Sequence, residues 1–185
     1  IAPFDWSTIN NGCGFDVIIG NPPYVNTEGM HALLPSAEVE IYKKKYKTSH
    51  KQFDKYFIFI EQAINKINEN GLVCYIVPNK FFKIGAGEKL RNLIAKERML
   101  VSLDDFGDAQ LFEDKTIYSS IILLSKAKQT SFVYSSVDSA NKLWAGEEVS
   151  SIELNSSVLN KLPWRLTTDF EFLTMLQRLD EVSVP

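Results

Sequence analysis

The stretch FDVIIGNPPYV, residues 15–25, constrains this chain more than any other. Phe15 to Gly20 is short, rich in β-branched residues and free of charge after Asp16. That pattern predicts a strand buried on both faces, as in a parallel sheet. The run then stops in Asn21, Pro22, Pro23 and Tyr24. Each proline fixes φ near about −65° and restricts the residue before it, so the turn is stiff. Neither proline offers an N–H, which leaves nearby carbonyls free to face a ligand, and the Asn21 side chain adds a second neutral acceptor. Two converging acceptors suit a group with two donor hydrogens, an amino group, and Tyr24 offers a flat face for stacking a ring.

The choice of asparagine carries chemical meaning. An amino group on an sp² carbon is a poor nucleophile, because its lone pair is delocalised. Two acceptors that hold its hydrogens out of plane favour a tetrahedral nitrogen and point the lone pair at an electrophile. No strong base is needed if the proton leaves after attack. The turn therefore reads as a device for methyl transfer to such an amine.

Downstream, Ser49 and Gln52 have capping-box spacing, and Phe53, Tyr56, Phe57, Ile60, Ala63, Ile64 and Ile67 follow at helical intervals until Asn70-Gly71. LVCYIV (72–77) predicts a second buried strand closed by Pro78, and Glu88 to Glu97 a shorter helix with Leu90, Leu93 and Ile94 on one face. Further strands are predicted at 99–106, 117–125 and in SFVYSSV, and a closing helix after the capping-box pair Thr168 and Glu171. Residues 26–48 read as irregular, and the serine-rich 138–167 as a linker. Alternating strands and helices predict a doubly wound α/β sheet with right-handed crossovers. Its ligands sit beyond the carboxyl ends of strands, where both Asn21–Tyr24 and Pro78–Phe82 fall.

Composition sets outer limits. The 185 residues are 45% hydrophobic with a net charge of −3, enough for one domain or one domain plus part of another. No apolar run approaches the ~20 residues of a membrane-spanning helix. Cys13 and Cys74 lack Cys-x-x-Cys partners, and His31 and His50 are the only histidines. No metal site or disulfide framework is expected, and a reducing cytoplasm fits. The mild acidity argues against a grip on nucleic acid by the whole domain. Lys43, Lys44, Lys45, Lys47 and Lys51 form one dense basic patch, either a phosphate-facing lip or a solvated loop. The opening IAPFDWSTINNG has no leader pattern, and the chain is expected to be a piece of a longer polypeptide.

NPPY after an apolar strand resembles motif IV of the S-adenosylmethionine-dependent amino methyltransferases, which include DNA adenine-N6 and release-factor glutamine enzymes. FDKYFIFIEQAINKINENGLVCYIVPNKFF followed by LDDFGDAQLFEDKTIYSSIILLSK is similar, in order and spacing, to type II restriction–modification adenine methylases. In these, methylase and specificity regions share one polypeptide, sometimes with a nuclease. The match runs over roughly residues 4–128. The resemblance implies the distal part of a Rossmann-like class I methyltransferase domain at 1–128, and a linker plus the start of a target-recognition region at 129–185. It implies that Asn21 and the Pro22 carbonyl bind the adenine amino group, with Tyr24 stacking on a base flipped out of double-stranded DNA. Phe112 in QLFEDKT would pack on the other face, Pro23 would shape the turn beside the methyl donor, and Asp54 with Tyr56 would lie near the donor pocket.

Plainer roles stand beside these. Phe112, Phe81, Phe82 and Tyr118 would serve as packing, Asp54 as a helix-start carboxylate favoured by the macrodipole, and Lys80 and Lys83 either approach the substrate phosphate or stand as solvated rim lysines. The family's glycine-rich donor-binding loop and the acidic residues that follow it precede motif IV, and only twenty residues precede Asn21 here. The N-terminal donor-binding strands are therefore expected to be missing, and these residues alone to bind the donor weakly or not at all and not turn over. A glutamine methyltransferase and a non-catalytic DNA-binding or assembly module are the alternatives.

Overall fold

Six strands form one sheet in the order β1-β2-β4-β3-β5-β6. They are β1 (Phe15–Gly20), β2 (Ile67–Pro78), β3 (Leu100–Gln110), β4 (Tyr118–Ser125), β5 (Ser131–Ser136) and β6 (Ser150–Asn155). The helices are α1 (Thr27–Leu33), α2 (Ser36–Lys45), α3 (Lys55–Lys66), α4 (Glu88–Lys96), α5 (Ala140–Trp144) and α6 (Phe170–Val182). The computed structural model describes residues 5–6, 12–111 and 118–182.

The β1–α3–β2 unit is the parallel crossover that the alternation predicts, with Gly20 opposite Tyr75 at its upper end. α3 forms because Tyr56, Phe57, Ile60, Ala63 and Ile64 recur on one buried stripe. α4 repeats the pattern with Leu90 and Ile94. The sheet is mixed where a parallel one was expected: β4 runs antiparallel to both β2 and β3. The reason is chain length. Seven residues join Gln110 to Tyr118, enough for a hairpin but too few for a parallel crossover, which needs a dozen or more.

Three local readings need correction. Residues 26–48 hold two helices, not an irregular loop. Asn26 caps α1 by accepting from the Gly29 N–H, and α2 gathers Lys43, Lys44 and Lys45 in its last turn, where the macrodipole favours cations. Ser49 does not start α3; its hydroxyl donates to the Tyr42 and Tyr46 carbonyls and closes the α2–α3 connection. Before α6, Asp169 rather than Thr168 accepts the Phe172 N–H.

Val73, Tyr75 and Val77 of β2 are buried, whereas Leu72, Cys74 and Ile76 on the opposite face remain partly exposed. One core, shared by α3, α4 and the sheet, thus lies on a single face. β1 was expected to be buried on both faces; instead Val17 is 50% and Ile19 77% exposed. Val17 and Ile19 lie in register with Leu72 and Cys74, on the face away from the core, and among the described residues β1 pairs only with β2.

The sheet continues past residue 128. β5, the strand predicted in SFVYSSV, adds parallel to β3, and β6 adds antiparallel to β5, so the serine-rich 138–167 read as linker supplies one strand and α5. After β6 the chain returns beneath α4. Trp164 is buried, donates its indole N–H to the Asn160 carbonyl and its backbone N–H to Phe82, and stacks on the Phe82 ring at 6.0 Å.

Candidate active site

The first two parallel strands end on one rim, and the turn after β1 is built there. The prolines stop β1 because they bring no N–H to continue the ladder on β2. The β2 carbonyls beyond that point take tyrosine hydroxyls instead: Tyr24 donates to the Ile76 oxygen at 2.8 Å and Tyr56 to the Pro78 oxygen at 3.2 Å. The two rings meet edge to face at 6.2 Å, and Tyr56 in turn meets Phe81 at 6.4 Å. Tyr24 is therefore half-buried with its ring plane fixed from both ends.

Asn21 is exposed, and its amide has no hydrogen-bond partner among the described residues. Pro22 is buried, and its carbonyl accepts no bond from the described backbone outside the regular elements. Pro23 is exposed. A stiff turn thus leaves its polar acceptors unspent while its ring is anchored. Spending no protein hydrogen bonds on those oxygens keeps them for a ligand.

The segment after the turn is tied down. The Lys55 N–H donates to the Val25 carbonyl at 2.8 Å, Asn26 and Asp54 form an antiparallel bridge, and the Thr27 hydroxyl donates to the Phe53 carbonyl at 2.8 Å. Asp54 is buried and accepts from the Lys80 ammonium at 3.0 Å. Next to Lys80, the Asn79 amide donates to the Asp105 carboxylate at 2.8 Å and to the Gly107 carbonyl at 3.1 Å. Asp105 also accepts from the Gly107 N–H at 3.0 Å and the Tyr134 hydroxyl at 3.4 Å. Gly107 has φ +54°, a backbone shape that suits glycine at the root of the β3–β4 hairpin.

Asn21, Pro22, Pro23, Tyr24 and Asp54 therefore gather at one rim. Phe112 lies outside the described residues. The lysines do not join the rim as a group. The Lys55 ammonium sits over the Tyr42 ring, whereas Tyr46 bonds Gln62 and the backbone of Lys47 and Thr48 bonds the buried Glu61 carboxylate. The run descends along α3, and at its end lies roughly 10 Å below the rim by helix rise. Lys43 pairs with Glu40 at 2.9 Å, and Lys44, Lys45 and Lys47 are exposed.

The sequence did not disclose the Asp54–Lys80 pair or the Asn79–Asp105 clasp. Each spans 26 residues and has no local spacing signature. The one available hint was that polar Asn79 and Lys80 directly follow a strand closed by proline.

Burial pushes the Tyr24 phenol up to about 12 and Tyr56 well above the usual tyrosine range; burial and the Glu38 hydrogen bond push Tyr42 up to about 12. In the unfolded chain these phenols ionise near about 10. Above that pH the unfolded state releases protons the folded state retains, so folding stability, fully present below it, falls as pH rises toward 12. Thermal melting followed from pH 8 upward is expected to be flat to about pH 10 and then to drop, with Tyr24→Phe softening the drop.

An apolar cavity of about 630 Å³ borders β1, lined by Val17, Ile19, Tyr42, Phe59 and Tyr75. Among the described residues no cluster of His, Cys, Asp and Glu could hold a metal, and no helix is long and apolar enough to cross a membrane.

Residues 1–112 match the family described as Eco57I restriction-modification methylase. The chain is 40% identical over 170 residues to the type II restriction enzyme and methyltransferase RM.Eco57I of Escherichia coli, covering 87% of this chain and 16% of that protein. A Listeria monocytogenes protein assigned to the class I S-adenosylmethionine-dependent methyltransferases superposes with a TM-score of 0.53 at 19% identity, over 71% of this chain and 39% of that one. The enzyme of the DrdV–DNA complex superposes with a TM-score of 0.60 at 17% identity, over 84% and 18%. The chain thus has part of the class I methyltransferase fold and spans about a sixth of the length of RM.Eco57I.

Proposed function

The chain belongs to the Eco57I restriction-modification methylase family, and on that premise we propose that it is the distal part of the catalytic domain of a DNA adenine-N6 methyltransferase. The observation that carries the proposal is the rim turn, in which an exposed Asn21 whose side chain has no described partner is followed by Pro22 and by a Tyr24 ring anchored to Ile76. A flipped adenine would place its exocyclic amino group between the Asn21 side-chain oxygen and the Pro22 carbonyl and its ring on Tyr24. Both hydrogens would be held out of the ring plane and the lone pair directed outward. The bond that forms joins that nitrogen to a methyl carbon, and the bond that breaks is the carbon–sulfur bond of the donor sulfonium. The nitrogen sheds its extra proton after transfer, so the turn needs no base.

S-Adenosylmethionine supplies the electrophilic methyl group. The residues present that would face it are those of the Asn21–Tyr24 turn, with Asp54 beside them. That β1 pairs only with β2 among the described residues supports placing further strands of the parent polypeptide beside it. Phe112 would cover the second face of the base, and Pro23 would shape the turn on the donor side. Lys43, Lys44, Lys45 and Lys47 stand as candidate contacts to the phosphate backbone on the flank of the domain, with double-stranded DNA as the partner, and residues 129–185 would begin the passage toward target recognition. Methylation itself asks for no metal.

The full-length enzyme, given labelled donor together with double-stranded DNA and with a glutamine-bearing peptide, is expected to label DNA alone and to yield N6-methyladenine on digestion. Label in the peptide would transfer the same acceptor pair to the glutamine reading. Label in neither would favour the non-catalytic module.

A further inference from the structure

Asp54 stands where three stretches of the rim meet: the segment after the Asn21 turn, the start of α3 and the exit of β2. It occupies the N-cap position of α3, yet its carboxylate accepts no bond from the first turn of that helix. It forgoes the cap hydrogen bond that an N-cap aspartate commonly makes, so its side chain is committed elsewhere. Its side chain is only 5% exposed, and the partner it reaches, Lys80, lies 26 residues on and is 47% exposed. A carboxylate buried that deeply needs its partner more than a half-solvated ammonium does. The lysine is in turn held by its neighbour, since Asn79 is clasped to Asp105 and Gly107.

We propose that the Asp54–Lys80 pair is a positioning device for the Asn21–Tyr24 turn, a role that rests on the methyltransferase reading above. The pair fixes the exit of β2 to residue 54. The short ladder of Lys55 on Val25, Asn26 on Asp54 and Thr27 on Phe53 carries that placement to the residues that follow Tyr24. Tyr24 and Tyr56 fix the same turn to Ile76 and Pro78 from the other side. The turn is thereby referenced twice to β2. Misplacing an acceptor by about 1 Å is enough to cost on the order of a hundredfold in rate.

The test uses the full-length enzyme and three readouts: kcat on DNA, donor Kd and melting temperature. Asp54→Asn and Lys80→Met are each expected to lower kcat by about 10- to 100-fold while donor Kd stays within about twofold. Lys80→Arg, which keeps the charge, should restore most of kcat. The double variant should be no slower than either single one, as for two members of one unit. Because Lys80 is half exposed, Asp54→Asn leaves its ammonium in water and no unpaired charge in the core, and so gives a folded enzyme in which the proposal can fail. Four results overturn it: kcat unchanged in both single variants, additive losses in the double, a loss that merely tracks melting, or donor Kd weakened tenfold with kcat intact. The last would make Asp54 a donor contact. Wild type assayed alongside separates the two claims: a wild type that transfers no methyl to DNA refutes the functional reading. A normal wild type with indifferent variants refutes the positioning role alone.

Discussion

Asn21→Ala in the full-length enzyme is expected to lower kcat by about 10²- to 10³-fold, the usual cost of removing one preorganised group that acts on the reacting centre. The substitution removes one of two acceptors and leaves the Pro22 carbonyl, so the amino group would lose the second anchor that turns its lone pair out of the ring. The fold should not notice. Asn21 is exposed and its side chain bonds no described residue, so stability should change by less than about 0.5 kcal/mol. Asn21→Asp keeps an acceptor oxygen in the same place and should retain far more activity than alanine. Steady-state kinetics with matched melting curves check both. A tenfold loss or less in Asn21→Ala, with a normal melt, would remove the residue from the chemistry.

The second large effect concerns stability. Arg91 is 2% exposed, and its guanidinium donates to three main-chain carbonyls: Phe81 at 2.6 Å, Ile84 at 2.8 Å and Lys161 at 3.0 Å. It ties the loop between β2 and α4 to the stretch that returns after β6. Arg91→Met fills similar volume but orphans those oxygens, at about 1–3 kcal/mol for each one that water does not reach. A loss of about 3–5 kcal/mol is expected, read as a lower urea midpoint. Gly87→Ala should fail at the same place, because a Cβ there would stand 2.3 Å from the Phe81 oxygen and 2.8 Å from Arg91 Nη1. Both variants should loosen the loop that carries Lys80, so methylation is expected to fall along with stability.

Features written in local sequence were legible, and those requiring distant partners were not. β1, α3 and α4 follow from apolar spacing, and the turn at Asn21–Tyr24 from two prolines that no strand interior accepts. α2 was missed because its Lys43–Lys45 end and Glu38–Glu40 start leave little apolar stripe; it is held instead by Tyr42, Tyr46 and the buried Val39. Ser49 and Gln52 imitated a cap because only the structure shows Ser49 already bonded backward to Tyr42 and Tyr46. The exposure of Ile19 was unreadable for a different reason. An apolar strand looks the same whether or not a neighbour lies beside it in the same stretch of chain. At the site, Asn21 and Tyr24 were named from chemistry, whereas the anchors Ile76 and Pro78 are main-chain oxygens that carry no residue-type signal.

Two neutral oxygens must meet one amino nitrogen, and a structure of the full-length enzyme with substrate DNA and a non-reactive donor analogue measures that meeting directly. The expected result is an extruded adenine stacked on Tyr24, with its exocyclic nitrogen within about 3 Å of both the Asn21 side-chain oxygen and the Pro22 carbonyl. An adenine bound elsewhere, or a nitrogen that reaches neither oxygen while the turn keeps its present form, would contradict it.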